Sequence, residues 1–248
     1  KNNRMLVVER NVYFDVVSEQ NIDGVFPLAT FYSSDSQTAF LFDMTKGLIV
    51  YDVSNWKDIE EVMTFGDGIE LNQWIFPSGM LAFEDEVLFL DIDQIWILNV
   101  TDIQNITQIS KIEVRSEEAS LNAFRPHPSV AVSLDGEFAI FSYPQTRIYN
   151  ISDLDQPHLV FNLSSRSNTV LLSSDDSTAF IGTNDSLKIW DVTDFEHPEP
   201  LRVFWVEGKI LTMIFSQDQE IIYMVILSFE DKNTKIKLLS IDITNSSD

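Results

Sequence analysis

The sequence contains no cysteine, and this absence removes several kinds of site at once. Without thiols there is no disulfide framework, no thiolate zinc site and no cysteine nucleophile. The compartment is not decided by this absence, because a secreted domain of 248 residues can be stable without disulfide bridges. No stretch approaches the roughly 20 apolar residues that a membrane-spanning helix needs, so we expect a soluble chain.

Basic residues are scarce as well. Sixteen Lys and Arg against 39 Asp and Glu give a formal charge of -23, which repels the phosphate backbone of nucleic acids and anionic lipid surfaces. We therefore expect no nucleic-acid partner and no membrane insertion. The charge is typical of a solvated, self-repelling surface, and loosely bound calcium stays open as an alternative. The chain starts at Lys1 without a signal-like apolar segment, which is typical of a mature form or an excised portion.

Familiar catalytic and cofactor motifs are also missing. The sequence has no G-x-S-x-G, H-E-x-x-H, EF-hand, P-loop or G-x-G-x-x-G motif. Its isolated histidines are His127, His158 and His197, and the last two occupy similar loop positions, which favours surface residues over general bases. Close acidic pairs occur at Asp91/Asp93, Asp153/Asp155, Asp175/Asp176 and Glu84/Asp85. Two carboxylates fall short of the six to eight oxygens that calcium prefers, so we expect no catalytic, cofactor-binding or metal-binding residues.

What the sequence does contain is a repeated strand pattern. Five stretches share an apolar run, then Asp or Asn, an apolar residue, and Ser or Thr: GLIVYDVS (47–54), QIWILNVT (94–101), TRIYNISD (146–153), LKIWDVTD (187–194) and KLLSIDIT (237–244). The repeat positions are Asp52, Asn99, Asn150, Asp191 and Asp242. They are roughly 41 to 51 residues apart, a period typical of blades or other repeat architectures. Because such a side chain at a strand end accepts hydrogen bonds from backbone N–H groups, we interpret these positions as structural turns.

A second repeat precedes each copy of the first. Its copies are FYSSDSQTAF (31–40), MLAFEDEVLF (80–89), AVSLDGEFAI (131–140), LLSSDDSTAF (171–180) and IFSQDQEIIY (214–223). Each is typical of a strand, an acidic hairpin turn and a second strand. Together the two repeats predict a four-stranded antiparallel meander that is used about five times. Such sheets bury their faces by packing radially, as in a β-propeller.

We therefore predict an all-β fold: a β-propeller of four-stranded antiparallel blades, five or six in number. One domain spans residues 1–248, with repeat units at approximately 25–67, 74–115, 127–165, 168–206 and 210–248. A hairpin at 4–18 either completes the last blade, and so closes the ring, or belongs to an incomplete sixth blade. A third alternative is strand exchange with another copy, which gives a homo-oligomer or filament.

The first repeat resembles a known family. In GLIVYDVS and LKIWDVTDFEHPEPL, where Asp191 leads on to Pro198, the pattern looks like the LVIVD repeat of extracellular and cell-surface β-propellers. The resemblance covers five units and implies an extracellular or cell-surface location. A WD40 propeller is the weaker alternative, because only Trp190–Asp191 has the dipeptide of that repeat.

Glycosylation signals support the same location. The N-x-S/T acceptor pattern occurs six times, more often than chance alone gives: at Asn99, Asn105, Asn150, Asn162, Asn184 and Asn245. Two of these fall on the strand-end repeat, where the turn itself favours that spacing. The other four still favour a glycoprotein that passes through a glycosylating compartment.

The function that we expect from the sequence is non-enzymatic: a secreted or cell-surface structural or adhesive module that mediates protein–protein interaction. One alternative is a ligand-binding or catalytic propeller with a site at the central channel, where polar groups scattered in sequence converge. Another is a cytoplasmic scaffold. Trp96 and Trp190 lie in third strands and are expected to pack between blades, whereas Trp56, in a loop, is a candidate for an exposed sugar-stacking ring.

Overall fold

The computed structural model describes residues 27–43, 46–55, 58–66, 78–82, 86–91, 94–113, 129–142, 145–163, 167–230 and 233–243. Within these ranges the regular secondary structure consists of β-strands alone. The strands form five antiparallel sheets in chain order, which we number as blades 1 to 5.

The first two blades have four strands each. Blade 1 contains β1 (Pro27–Tyr32), β2 (Thr38–Asp43), β3 (Gly47–Asp52) and β4 (Glu60–Phe65). Blade 2 contains β5 (Ser78–Ala82), β6 (Val87–Asp91), β7 (Ile95–Asn99) and β8 (Thr107–Ile112).

Blades 3 and 4 also have four strands each, whereas the described part of blade 5 has three. Blade 3 contains β9 (Val130–Val132), β10 (Phe138–Phe141), β11 (Arg147–Asn150) and β12 (His158–Asn162). Blade 4 contains β13 (Thr169–Leu172), β14 (Thr178–Gly182), β15 (Ser186–Asp191) and β16 (Glu199–Trp205). Blade 5 contains β17 (Lys209–Phe215), β18 (Ile221–Glu230) and β19 (Asn233–Asp242), with no fourth strand among the described residues.

Every blade is a simple meander in which each strand pairs with the next one along the chain. The first strands of consecutive blades contact each other in the order β1, β5, β9, β13 and β17, so they form the inner wall of the assembly. This arrangement is a five-bladed β-propeller. It confirms the predicted all-β fold class and selects five blades from the two numbers that the sequence left open.

The hydrophobic core lies between blades rather than at one centre. The strand β3, whose sequence is GLIVYD, is buried on both faces, which explains why its apolar residues run continuously instead of alternating. Separate clusters join neighbouring blades: Phe42 with Leu98 for blades 1 and 2, Phe89 with Phe141 for 2 and 3, Ile140 with Ile181 for 3 and 4, and Leu187 with Met224 for 4 and 5.

A β-bulge recurs at one position of blades 1 to 4. The register between the third and fourth strands shifts just before the strand-end Asp or Asn: at Val50/Tyr51, Ile97/Leu98, Ile148/Tyr149 and Ile189/Trp190. A bulge at this point increases the local twist of the sheet. The repeated strand-end pattern of the sequence therefore marks a three-dimensional repeat of both turn and twist.

Candidate ligand site on the hairpin face

The hairpins that join the first and second strands have the same hydrogen-bond geometry in four blades. A serine hydroxyl donates to the aspartate two residues later: Ser33 to Asp35 (2.6 Å), Ser133 to Asp135 (2.6 Å), Ser173 to Asp175 (2.6 Å) and Ser216 to Asp218 (2.5 Å). In each turn the same aspartate accepts from the backbone N–H two residues further on. The serine oxygen accepts from the N–H five residues on, so the serine and the aspartate of each turn both make hydrogen bonds within it.

The residue after each aspartate has a left-handed backbone. These residues are Ser36, Gly136, Asp176 and Gln219, with φ between 57° and 72°. Their conformation closes the turn with the correct twist for a β-hairpin. The Ser-x-Asp spacing of the second sequence repeat is thus explained by turn chemistry.

The hydrogen bonds of these turns lower the pKa of the hairpin carboxyl groups. The serine hydroxyl is the main cause and the backbone N–H is the next for Asp35, Asp135 and Asp218, whereas at Asp175 a second serine hydroxyl precedes the backbone N–H. The effect is largest at Asp175, where two serine hydroxyls lower the pKa to about 2. These groups are therefore ionised at neutral pH and are weak proton acceptors, because a general base works best with a pKa near the working pH.

Neighbouring hairpins are joined through their left-handed residues. The N–H of Leu134 in blade 3 donates to Asp176 Oδ2 in blade 4 at 2.6 Å. The N–H of Ser174 in blade 4 donates to Gln219 Oε1 in blade 5 at 3.1 Å. In blades 4 and 5 the side chain at the left-handed position therefore links the hairpin to that of the preceding blade.

The strand-end Asp and Asn residues lie on this same face and form turns. Each accepts from the N–H two residues later, with distances of 2.8 Å at Asp52, 3.0 Å at Asn99, 3.1 Å at Asn150 and 2.9 Å at Asp191. A hydrogen bond from the Ser54 hydroxyl lowers the pKa of Asp52, and one from the Thr193 hydroxyl lowers the pKa of Asp191. For Asp242, the residue that would donate lies outside the described part of the chain.

A groove of about 520 Å³ opens on this face between blades 4 and 5. The blade 4 hairpin lines one side with Ser173, Asp175 and Ser177. Arg202 and Phe204 of β16 line another part, and Asp242 and Ile243 follow from the end of β19. The volume is within the usual range for small-molecule sites.

Three chemical features meet in this groove. Asp175 Oδ1 accepts all the turn hydrogen bonds of that residue, and Oδ2 has no hydrogen-bond partner among the described residues. The Arg202 guanidinium lies 5.0 Å from the centre of the half-buried Phe204 ring, where a cation–aromatic contact forms. Phe180 and Ile189 complete an apolar floor. The groove therefore combines an anionic acceptor, a cationic donor and an aromatic surface.

Sequence reasoning located only part of this site. Asp175, from an acidic pair, and Asp242, from the strand-end repeat, are brought to the same groove although 66 residues separate them. Arg202 and Phe204 were missed. The available signal was a single arginine in the otherwise apolar strand PLRVFWV of a strongly acidic chain.

Other residues that the sequence singled out lie elsewhere. His158 and His197 are exposed, and His197 Nδ1 is 3.0 Å from Asp194 Oδ2 in the same loop. Lys111 Nζ lies 3.4 Å from the centre of the Trp96 ring, and Trp190 packs against the cluster between blades 3 and 4. No group of three or more potential metal ligands occurs within the described residues. His127, Trp56, Glu84, Asp85 and Asp93 lie outside the described residues.

The potential glycosylation sites are mostly at the surface. Asn99, Asn105, Asn162 and Asn184 are exposed and Asn150 is half-buried, while Asn245 lies outside the described residues. Asn162 donates to Gln145 Oε1 at 3.2 Å, and Asn184 accepts from Asn168 at 3.2 Å.

Comparisons with known proteins identify the fold but no family. No family model and no curated protein sequence matches this chain. Similar solved structures include a protein of unknown function from Desulfotomaculum acetoxidans, with 14% identity, a TM-score of 0.63, and coverage of 92% of this chain and 74% of that one. A periplasmic gluconolactonase from Pseudomonas aeruginosa has 12% identity, a TM-score of 0.58 and coverage of 86% and 69%. A Bacteroides fragilis protein provisionally named a 6-phosphogluconolactonase has 11% identity, a TM-score of 0.58 and coverage of 88% and 70%.

These neighbours correct the expected function. The expectation of a non-enzymatic structural or adhesive module is wrong, because solved propellers similar to this chain include two that are named as lactonases. The error has a physical reason: the repeats specify the blades, and a function depends on side chains that the blades bring together. Among the described residues there is no helix that could cross a membrane.

Proposed function

We propose that this chain is a ligand-binding propeller that takes a small, neutral sugar lactone in the groove between blades 4 and 5. The observation that carries the proposal is the meeting of Asp175, Arg202 and Phe204 in one groove of about 520 Å³. The names of the two lactonase neighbours support a lactone as the ligand.

The polar groups of the groove match the hydroxyl groups of a sugar. Asp175 Oδ2 provides an ionised acceptor for ligand hydroxyl groups, and hydrogen bonds to charged groups are the stronger ones. Arg202 provides donors for a lactone carbonyl oxygen. The apolar face of a sugar ring packs well against an aromatic surface, which Phe204 supplies at the floor.

Charge selects a neutral ligand over an anion. The chain has a formal charge of -23, and the groove contains the carboxylates of Asp175 and Asp242 beside the single guanidinium of Arg202. This field repels a sugar acid, so the lactone binds more tightly than the hydroxy acid formed by opening its ring. If the ring opens at the site, the same field favours release of the product.

Hydrolysis of the bound lactone is the second candidate function, and the names of the two neighbours favour it. In this reaction water adds to the ring carbonyl carbon and the ring C–O bond breaks to give the hydroxy acid. Arg202 is placed to stabilise the developing oxyanion. Asp175, with a pKa of about 2, is too weakly basic to activate the water efficiently, so its role is to hold the ligand.

Replacing Arg202 by glutamine tests the proposal. We expect the wild-type protein to bind D-glucono-1,5-lactone at pH 5 with a dissociation constant of about 0.1–1 mM, as expected for a ligand of this size. R202Q is expected to bind about tenfold more weakly, because it loses a hydrogen bond to a charged donor. Binding is measured by saturation-transfer NMR on freshly dissolved lactone, and proton release in the same samples reports hydrolysis.

A matched control is Lys188→Gln. Lys188 is another half-buried cation of blade 4, and it pairs across the strands with Val203 and Ile181, on the sheet face turned away from the groove. K188Q is expected to bind the lactone as the wild type does. An absence of binding by the wild type, or equal losses in R202Q and K188Q, would overturn the proposal.

We also infer an extracellular location and N-glycosylation, in line with the resemblance to LVIVD-repeat proteins. The exposed acceptor residues Asn162 and Asn184 support this inference. The protein purified from its native source is expected to have a mass above the 28.4 kDa of the 248-residue sequence, with sugar on Asn162 or Asn184 in glycopeptide maps. Unmodified peptides at both positions would contradict it.

A further inference from the structure

We propose that Gln219 is a positioning residue for the groove between blades 4 and 5, and that its side chain fixes the place of Asp175 relative to the opposite wall. Gln219 is not one of the residues that line the groove. It acts through the backbone of the blade 4 hairpin, to which its side chain is hydrogen-bonded. This inference rests on the ligand-binding function proposed above, and it adds a residue outside the groove that controls the affinity.

The blade 4 hairpin is held near its tip by a hydrogen bond from blade 5. The N–H of Ser174 donates to Gln219 Oε1 at 3.1 Å. Ser174 lies between Ser173 and Asp175, which both line the groove. A hydrogen bond to the backbone at this point restrains the peptide that carries the Asp175 side chain. If the hairpin were displaced, Asp175 Oδ2 would move relative to the other groups of the groove.

The blade 5 hairpin is also bonded to the opposite wall. The N–H of Ile243 donates to the carbonyl oxygen of Glu220 at 2.9 Å, and Ile243 lines the groove beside Asp242. Gln219 and Glu220 are adjacent, so one short segment of blade 5 is hydrogen-bonded to both walls. The distance between the Asp175 wall and the Asp242 wall therefore depends on this segment.

The segment itself is well anchored. The N–H of Gln219 donates to the carbonyl oxygen of Ser216 at 2.9 Å, and the Ser216 hydroxyl donates to Asp218 at 2.5 Å. Directly before this turn, the centre of the Phe215 ring lies 5.5 Å from that of Phe180, which belongs to the floor of the groove. Packing therefore fixes the base of the groove, and the hydrogen bond from Gln219 restrains its rim.

The side chain of Gln219 suits this contact because it is long and ends in an acceptor. The equivalent left-handed residues of blades 1 and 3 are Ser36, which is shorter, and Gly136, which has no side chain. A backbone N–H needs an acceptor atom, so we expect the amide oxygen of Gln219 to matter more than the bulk of its side chain. The bond to Ser174 is exposed to water, which limits its effect to that of an ordinary neutral hydrogen bond.

Two substitutions of Gln219 separate the acceptor from the shape of the side chain. Gln219→Met keeps a similar length and loses the oxygen, whereas Gln219→Glu keeps an oxygen at the same place. We expect Q219M to bind D-glucono-1,5-lactone at pH 5 about threefold to fivefold more weakly than the wild type, because one neutral hydrogen bond is lost. Q219E is expected to restore binding to within about twofold of the wild type, because the acceptor is present.

Ser36→Met is the matched control. Ser36 occupies the same hairpin position in blade 1 with φ 58°, against 57° at Gln219, and it does not line the groove. The backbone strain of the new methionine is therefore the same in both variants. S36M is expected to bind the lactone as the wild type does.

Amide exchange measured by NMR reports the hydrogen bond itself, with or without a ligand. The Ser174 amide proton is expected to exchange about fivefold faster in Q219M than in the wild type, Q219E and S36M, because a lost hydrogen bond lowers local protection. Circular dichroism melting verifies that all four proteins are folded. Faster exchange of Ser174 together with weaker binding, in Q219M alone, supports the proposal.

The two measurements keep this inference distinct from the proposed function. If the wild type does not bind the lactone, the proposed function fails, and the exchange of the Ser174 amide alone decides whether Gln219 positions the hairpin. Unchanged exchange in Q219M would overturn the positioning role. Where the wild type binds, wild-type affinity in Q219M, or an equal loss in Q219M and Q219E, would also overturn it.

Discussion

Replacing Phe89 by alanine is expected to lower the free energy of unfolding by about 3–5 kcal/mol. Phe89 is 1% exposed in β6 and packs between blades 2 and 3. Its ring centre is 6.0 Å from that of Phe141, which in turn is 5.7 Å from the Tyr149 ring. The substitution removes the aromatic contact and leaves a cavity that the neighbouring blades cannot fill without moving. Urea unfolding followed by circular dichroism measures the change.

Leu134→Ala is the control for this prediction. Leu134 is 78% exposed at a hairpin tip, and its link to the next blade is made by the backbone N–H, which alanine retains. The expected change is within about 0.5 kcal/mol. If F89A loses no more unfolding free energy than L134A, the packing between blades does not stabilise the propeller as described.

Replacing Gly47 by alanine is expected to cost about 2–4 kcal/mol, although it adds only one methyl group. Gly47 begins β3 with φ +82°, a conformation that alanine rarely adopts. A Cβ atom there would lie 2.5 Å from the carbonyl oxygen of Phe65 and 2.9 Å from that of Gly66. Because both contacts are with backbone atoms, β3 and the end of β4 have to separate. The unfolding midpoint in urea reports the loss.

Gly136→Asn is the matched control at a second glycine of positive φ. Gly136 has φ 72°, and the equivalent positions of three other hairpins hold Ser36, Asp176 and Gln219. Asparagine tolerates this conformation better than most residues, so the expected cost is about 1 kcal/mol or less. If G136N is as damaging as G47A, positive φ alone explains both effects, and the backbone contacts at Gly47 are unimportant.

The blade structure could be predicted from the sequence because its strands and turns are specified by short, local patterns. The stretch GLIVYDVS predicted a strand that ends in a turn, and the structure has β3 followed by a hydrogen bond from the N–H of Ser54 to Asp52. The hairpin repeats predicted acidic turns, and the Ser33–Asp35 hydrogen bond shows why serine and aspartate recur there. Five copies of one local pattern also made the radial stacking predictable.

The candidate site could not be predicted from the sequence because its residues come from separate elements of two blades. Asp175 lies in a hairpin, Arg202 in a fourth strand and Asp242 at the end of a third strand of the next blade. Their meeting depends on how blade 5 packs against blade 4, which no short pattern encodes. The sequence also offered the central channel as the place for a ligand, whereas the groove lies between two blades.

The incorrect expectation of a structural module arose from the same limit. Sequence repeats describe the scaffold, and potential N-glycosylation sites describe its surface. Neither identifies the chemistry of a groove. The lowered pKa of Asp175 shows the difference: the serine that makes the turn also fixes the charge that the groove presents. The blade 4 hairpin, which recurs in other blades for structural reasons, thus also contributes to the candidate site.

The most direct test of the central claim is hydrogen–deuterium exchange of the full chain with and without D-glucono-1,5-lactone at pH 5. If the ligand binds in the groove, exchange slows in residues 173–178 and 199–205, because both segments line it. Residues 129–142 of blade 3 are expected to exchange at the same rate in both samples. Protection that appears in blade 3 but not beside the groove, or no protection in any peptide, would contradict the account.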